Sequence, residues 1–298
     1  MESKVNIAWR KATAIPGFNI PYRPMMAPVV QALVDTRTFG LIMVARLEWE
    51  KFQAGSLEEI AKEYSRVGQE GFTQLHLDHV PVIDEDGQKV DFLSIIKRAL
   101  DCGYDSVMVD GSRLPLKENI WCTKKVVEMA HSIGKPVEAE LGAVFGHEPR
   151  PLPSYEELFS SGQGFTDPEQ AGIFVKETGV DWLSVAIGNI HGAISQASSQ
   201  QPKLQARLDI EHLKKLQQAA GIPLVLHGGT GIKKEYIQSA IKNGTAKINI
   251  ATAIRQVYQR WLDTSVSKAQ QEVYHTACRI LKDELALAGN LDLLREEV

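Results

Sequence analysis

Three histidines, His79, His191 and His227, each stand beside a glycine or an acid just past a short β-branched apolar run. Three neutral imidazoles that leave one coordination position open suit a catalytic rather than a structural Zn2+ site. A lone histidine at a strand end is more often a hydrogen-bonded structural residue, but three in the same setting favour a metal. Asp78, Asp110 and Glu140 stand at comparable places and add carboxylates to the set. The remaining histidines do not share the pattern: His131 and His212 fall in helical stretches, His275 in the terminal segment, and His76 reads as pointing away from the set. His147, in a long loop, stays ambiguous. A second cluster is glycine, in the run Leu226-His227-Gly228-Gly229-Thr230-Gly231, with His191-Gly192 and Asn249-Ile250-Ala251-Thr252 beside it. Exposed backbone N–H groups and the hydroxyls of Thr230 and Thr252 could face a phosphate there. The alternative is a tight strand-to-helix connection with no ligand.

Such residues converge only if the chain brings its strand ends together. Short apolar runs at 17–20, 41–45, 74–78, 106–110, 137–140, 182–186, 224–227 and 247–250 alternate with helical stretches near 25–35, 56–70, 91–102, 116–134, 167–178, 209–220, 232–243 and 252–262. Gly71, Gly103, Gly134, Gly179, Gly221 and Gly244 fall where helices would stop before the next strand. This alternation predicts an α/β fold, a (β/α)8 TIM barrel formed by one domain over residues 1–298, with an additional C-terminal helix near 266–288. In such a barrel the strand C-terminal ends share one face, and the loops after the seventh and eighth strands frequently bind phosphate. The irregular segment 143–166, rich in Gly, Pro and Ser, reads as a lid.

Composition narrows the function classes. The 33 basic and 37 acidic residues are interspersed, for a formal net charge of −4, so no basic block awaits nucleic acid. No stretch reaches the roughly 18–20 consecutive apolar residues of a spanning helix, and the start MESKVNIAWRK lacks a signal peptide's apolar core, which predicts a cytoplasmic protein without membrane partners. Cys102, Cys122 and Cys278 form no C-x-x-C pair and read as reduced packing residues.

Motifs running in order from about 72 to 253 resemble the class II, metal-dependent fructose-bisphosphate and tagatose-bisphosphate aldolases. They are Leu75-His76-Leu77-Asp78-His79, Ser106–Ser112 followed by Pro115 and Glu118-Asn119, Val137–Gly142, Phe165-Thr166-Asp167-Pro168, Ala186–Gly192, Leu226–Gly231 and Lys247–Thr252. The resemblance implies a zinc ion on His79, His191 and His227, with Asp110 and Glu140 able to hold a second or displaced divalent or monovalent cation. It assigns Asp78 as acid/base at a C4 hydroxyl and Glu148 as the residue that moves a proton at C3. Gly192, Gly228, Gly229, Thr230, Asn249 and Thr252 match the surroundings of the phosphate of dihydroxyacetone phosphate, and Asn19 matches an asparagine near substrate. A homodimer or homotetramer that cleaves or forms a ketose phosphate through a zinc-stabilised enediolate is what the family would give. Asp78 could instead merely orient a histidine ligand.

The sequence departs from this family at the substrate rim. A Ser-x-Gly stretch is replaced by Ala45-Arg46-Leu47-Glu48-Trp49, where Arg46 brings a fixed charge with a bidentate fork. A family lysine is absent from Ala193-Ile194-Ser195, so Arg46 is expected to replace that charge or grip an anionic group of the substrate; the alternative is a surface pair with Glu48. Ala251 matches tagatose-type rather than strictly fructose-type members, and Pro149 alters the backbone path beside Glu148. The competing readings are an aldolase for another sugar, such as a deoxy-keto-sugar acid phosphate, another metal-dependent lyase or isomerase, and a non-catalytic sugar-phosphate-binding barrel.

Overall fold

The computed structural model describes residues 2–144, 154–190 and 206–295. Eight parallel strands close into a barrel in sequence order: β1 Ile15–Asn19, β2 Gly40–Ala45, β3 Thr73–Pro81, β4 Ser106–Asp110, β5 Val137–Leu141, β6 Trp182–Val185, β7 Leu224–Leu226 and β8 Thr245–Ile250. Closure comes from β1 against β8, with Gly17 opposite Asn249 and Phe18 opposite Ile250. Most strand residues are buried, as expected where helices cover the outer face and side chains fill the inner one. Every strand run expected from the sequence is a strand, with ends differing by a few residues.

Helices α1 Lys4–Arg10, α2 Met26–Asp35, α3 Arg46–Lys51, α4 Leu57–Val67, α5 Phe92–Asp101, α6 Leu116–His131, α7 Tyr155–Ser161, α8 Pro168–Thr178, α9 Ile210–Ala220, α10 Lys234–Lys242, α11 Thr252–Leu262, α12 Val266–Arg279 and α13 Asn290–Leu293 are interleaved with the strands or follow them. Gly179 and Gly221 lie in the left-handed region (φ 67° and 63°) and return their N–H groups to the carbonyls of Val175 and Gln217, so α8 and α9 stop where the sequence places a stop. The C-terminal helix is α12 continued by a π-helical turn at Ile280–Glu284, and it packs on α11 and α2. The segment expected to form a lid contains α7, while 145–153 lies outside the described residues. Cys102, Cys122 and Cys278 are free thiols. Among the described residues no helix is long and apolar enough to cross a membrane.

The short helices α1, α3, α7 and α13 were not foreseen. Helix α1 buries Val5, Ile7 and Ala8 against Ile15, Leu41, Met43, Trp182, Val225 and Ala246, near the strand beginnings, and so plugs the N-terminal end of the barrel. Leu291 and Leu294 join the same cluster, and Asn290 accepts the Phe39 N–H (2.8 Å) and donates to the Ala14 carbonyl (2.9 Å). The indole N–H of Trp182 donates to Asn6 Oδ1 (3.0 Å), tying β6 to α1. With that end filled, the opposite mouth is left for chemistry. Trp182→Ala should cost about 3–5 kcal/mol through the cavity it opens. Trp182→Phe, which loses mainly the bond to Asn6, should cost about 1 kcal/mol; urea unfolding followed by circular dichroism measures both.

Candidate active site

Strand β3 sets the geometry. Its alternation turns His76 and Asp78 to the same interior face, so His76, expected to point away, is fully buried beside Asp78. Strict alternation would then send His79 outward. Instead the pairing of β3 with β4 shifts register between Leu77 and Val80, and His79 adopts φ 34°. A positive φ is uncommon for a residue with a side chain and is held only where the surroundings over-determine it. The bulge swings the imidazole over the barrel mouth, 3.4 Å from Asp110 Oδ2 and 4.4 Å, ring centre to ring centre, from His227.

Beneath these rings runs a chain of buried polar groups. Lys247 Nζ, fully buried, meets Glu138 Oε2 at 2.8 Å, and Glu138 Oε1 meets His227 Nε2 at 2.8 Å. His227 Nδ1 in turn lies 3.3 Å from Glu140 Oε2. Asp78 accepts from the side-chain amides of Asn19 (2.9 Å) and Asn249 (3.1 Å), while Lys247 donates to Asn249 Oδ1 (2.8 Å). His76 Nδ1 bonds Ser106 Oγ (2.8 Å), and its Nε2 faces Glu138 at 3.5 Å. Asp110 accepts from the backbone N–H (3.0 Å) and hydroxyl (2.6 Å) of Ser112, which fixes its carboxylate toward His79.

The electrostatics follow from this crowding. Burial disfavours a charged Asp78, but the charges of His79, Lys247, His227 and His76 outweigh it and hold the carboxyl below the usual aspartate range. Glu138 is lowered to about 2 because Lys247 and His227 overcome its desolvation. Glu140 moves upward, driven by burial and then by its neighbour Asp110. His79 is pushed to about 10: burial opposes its charge, and Asp78, Asp110 and Glu140 more than compensate. His76, by burial and then by Lys247, falls to about 3 and stays neutral.

This donor set fits a divalent cation. The ligating atoms of Asp78, His79 and His227 lie within 4.8 Å of one another, as do those of His79, Asp110 and Glu140. His227 uses Nε2 toward Glu138, which turns its Nδ1 to the side occupied by Glu140 and His79. A carboxylate behind a ligating imidazole is the arrangement that fixes tautomer and raises basicity at metal sites. Among the described residues, four carboxyl groups, on Asp78, Asp110, Glu138 and Glu140, stand here against the single ammonium of Lys247, an excess of negative charge that a cation offsets.

Of the other residues named from the sequence, the described ones fall around this mouth. His191, Gly192, Ala193, Ser195, His147, Glu148 and Pro149 lie outside the described residues. Gly228 and Gly229 follow β7, and the Gly229 N–H donates to the Asn249 carbonyl (3.1 Å), laying this turn against β8. A Cβ on Gly229 would meet the Ile248 side chain at 2.4 Å, so glycine there answers a packing need. Thr230 is half-buried beside it, Thr252 is the first residue of α11, and Ala251 is its N-cap. Arg46 does not pair with Glu48. It meets Glu50 at 2.9 Å and Asp84 at 3.5 Å, because Glu48 turns inward to accept the Ala45 N–H (2.8 Å). Arg46 still lines a cleft with His79, Asp110 and Arg113.

Glu138, Lys247 and Glu48 were given no site role from the sequence. For the first two a signal was present: each stands two residues before a chosen position, Glu140 or Asn249, and so shares its strand face. A charge inside a strand buried on both sides is seldom idle. Glu48 gave no such sign, since it reads as one of several charges on a short helix.

Comparisons with known proteins agree with this architecture. The family model described as "Fructose-bisphosphate aldolase class-II" matches residues 1–287. A fructose-bisphosphate aldolase of Geobacillus stearothermophilus is 40% identical over 178 residues, 60% of this chain and 53% of that protein. One of Staphylococcus aureus is 38% identical over 200 residues, 67% of this chain and 61% of that protein. The chain thus spans little more than half the length of these relatives. The crystal structure of the YdjI aldolase of Escherichia coli K12 superposes with a TM-score of 0.72 at 29% identity, covering 93% of each chain. A putative fructose-1,6-bisphosphate aldolase of Coccidioides immitis gives 0.75 at 25% identity, over 97% of this chain and 96% of that one. A barrel closed in sequence order, with this array of acids and imidazoles at its mouth and a family match reaching from residue 1 to 287, places the chain in the class II fructose-bisphosphate aldolase family.

Proposed function

We propose that the protein is a zinc-dependent aldolase that cleaves or forms a ketose phosphate, with dihydroxyacetone phosphate as the common three-carbon partner. The observation that carries this reading is a metal-type donor set, His79 and His227 with Asp110 and Glu140, together with Asp78, a carboxylate within reach of the two imidazoles that two amides hold in place. His191 is read as the third imidazole from its sequence motif. Bound at these residues, Zn2+ supplies Lewis-acid polarisation of the ketose C2 carbonyl. Asp78, kept ionised by the surrounding positive charges and held in orientation by the two amides, takes the proton of the C4 hydroxyl as the C3–C4 bond breaks. The electron pair left at C3 is delocalised toward C2, and Glu148 returns a proton to C3 in the cleavage direction. The hydroxyls of Thr230 and Thr252 and the backbone N–H groups in the first turn of α11 would meet the phosphate, while Gly229 gives its N–H to the Asn249 carbonyl and sets the path of the turn. Arg46, with its fork already oriented by Glu50 and Asp84, faces the distal part of the sugar.

The decisive assay mixes purified protein with phosphorylated ketoses and follows release of dihydroxyacetone phosphate before and after chelation. Cleavage that disappears with the metal and returns with Zn2+ supports the reading; no cleavage of any ketose phosphate by the zinc-loaded protein defeats it. Asp78→Asn should lower kcat by roughly 10²–10⁴ while leaving zinc content intact, since general acid–base groups contribute about that much. Metal binding should also release protons. His79 carries its proton up to about pH 10 in the metal-free chain, and a ligating imidazole must be neutral, so apparent zinc affinity should climb as pH rises from 6 to 9. Calorimetry in buffers of different ionisation enthalpy reads the released proton directly.

A further inference from the structure

We infer that Arg113 is a specificity-determining residue that takes an anionic group, phosphate or carboxylate, at the end of the sugar remote from dihydroxyacetone phosphate. The inference rests on the aldolase reading above and narrows the class of its substrate. Closure of the barrel sets the direction in which a substrate runs. With eight strands in sequence order, β3 stands diametrically across the mouth from β7. The turn after β7 and the start of α11 are the place for the phosphate of the three-carbon half. His227, directly after β7, and His79, near the end of β3, meet over the centre with their rings 4.4 Å apart. A sugar that starts at that turn and passes the two imidazoles therefore arrives over β3. There a cleft lined by Arg46, Glu85 and Arg113 opens beside His79 and Asp110, walled by the turns that follow β2 and β4.

Among the described residues, a single charged side chain of this cleft is left without a partner. Arg46 meets Glu50 at 2.9 Å and Asp84 at 3.5 Å, so two carboxylates already answer its guanidinium. Glu85 meets Lys51 Nζ at 2.7 Å. Asp110 faces His79 at 3.4 Å and accepts from the N–H and hydroxyl of Ser112. Arg113 is exposed and makes no hydrogen bond or ion pair with any described residue. Its place is fixed by the backbone: the Leu114 N–H donates to the Gly111 carbonyl (2.9 Å), which makes Ser112 and Arg113 the two central residues of a tight turn directly after β4. One turn thus gives Ser112 to Asp110 and Arg113 to the cleft. An arginine on a convex surface is an ordinary solvated charge, but this one stands on a concave wall at the catalytic end of the barrel, three residues after Asp110. Its planar fork matches carboxylate and phosphate alike. With Arg46 already answered, the positive charge open to a second anion is that of Arg113.

Condensation of dihydroxyacetone phosphate with aldehydes of equal length isolates the distal group. The zinc-loaded protein is assayed with glyceraldehyde, whose far end is neutral, with glyceraldehyde 3-phosphate, and with tartronate semialdehyde, which ends in a carboxylate. The unmodified protein should prefer at least one anionic aldehyde in kcat/KM, and the one preferred distinguishes phosphate from carboxylate. Arg113→Met should lower that preference, read as the ratio of kcat/KM for the anionic over the neutral aldehyde, on the order of 10–100-fold, what a hydrogen bond to a charged group is typically worth. Arg113→Lys, which keeps the charge without the fork, should restore part of the ratio. Arg46→Met should move it less, because that charge is already answered within the protein. Exchange of the C3 proton of dihydroxyacetone phosphate in deuterated water needs no aldehyde and reports the aldolase chemistry on its own. In a protein that performs this exchange, no preference for either anionic aldehyde, a ratio untouched by Arg113→Met, or a larger fall with Arg46→Met would overturn the inference. Absence of both exchange and condensation in the unmodified protein would instead remove the aldolase reading itself, and is seen before any variant is made.

Discussion

Lys247 and Glu138 form an ion pair at 2.8 Å with neither side chain exposed to solvent, and the polar interior of the barrel is organised around it. Removing two charges from water costs several kcal/mol per ion, recovered only where geometry is good and the remaining polar atoms find partners. Here they do. The second Glu138 oxygen orients His227, and the ammonium also holds Asn249, which in turn holds Asp78. One cation below the mouth thereby fixes an imidazole on one side and a carboxylate on the other. Removing either partner would leave a charge stranded in the barrel, so the pair constrains every residue above it.

Above this layer the balance of charge reverses. Asp110 and Glu140 join Asp78 and Glu138 with no second lysine, and the proton affinity of His79 rises in response. A cation at this place meets ligands that are already oriented: Asp110 by Ser112, His227 by Glu138, and His79 by a bulge in β3. The strained backbone at His79 sits where β3 bulges against β4, in a barrel whose far end is plugged by α1. Rigidity at the bottom thus supports precision at the top.

The rim facing substrate follows different rules from the centre. The centre is built of buried histidines and acids, whereas the turn after β2 carries Arg46, Glu48 and Glu50. Arg46 is braced outward by Glu50 and Asp84, and Glu48 is folded inward to accept the Ala45 N–H. A single short helix, α3, therefore sends one charged side chain to the cleft and turns another back onto its own N-terminus.

The order of strands and helices was legible in the sequence because buried parallel strands are short apolar runs and left-handed glycines end helices such as α8 and α9; both are local effects of backbone and water. So were Asp78, His79, Asp110, Glu140 and His227 as neighbours, since strand ends of a barrel converge whatever lies between them. Helix α1 was not legible, because seven residues carry too little periodicity and earn their stability only from the barrel end they fill. Nor was the inward turn of Glu48 or the pairing of Lys247 with Glu138, because each depends on partners far along the chain. His79 shows the division most plainly. Its residue type announced metal chemistry, but alternation along β3 would have sent it to the wrong face, and only the register shift against β4 turns it inward. Sequence determined which groups are available, through chemistry local to each residue; tertiary structure decided which of them meet, because a contact across strands is set by register and closure.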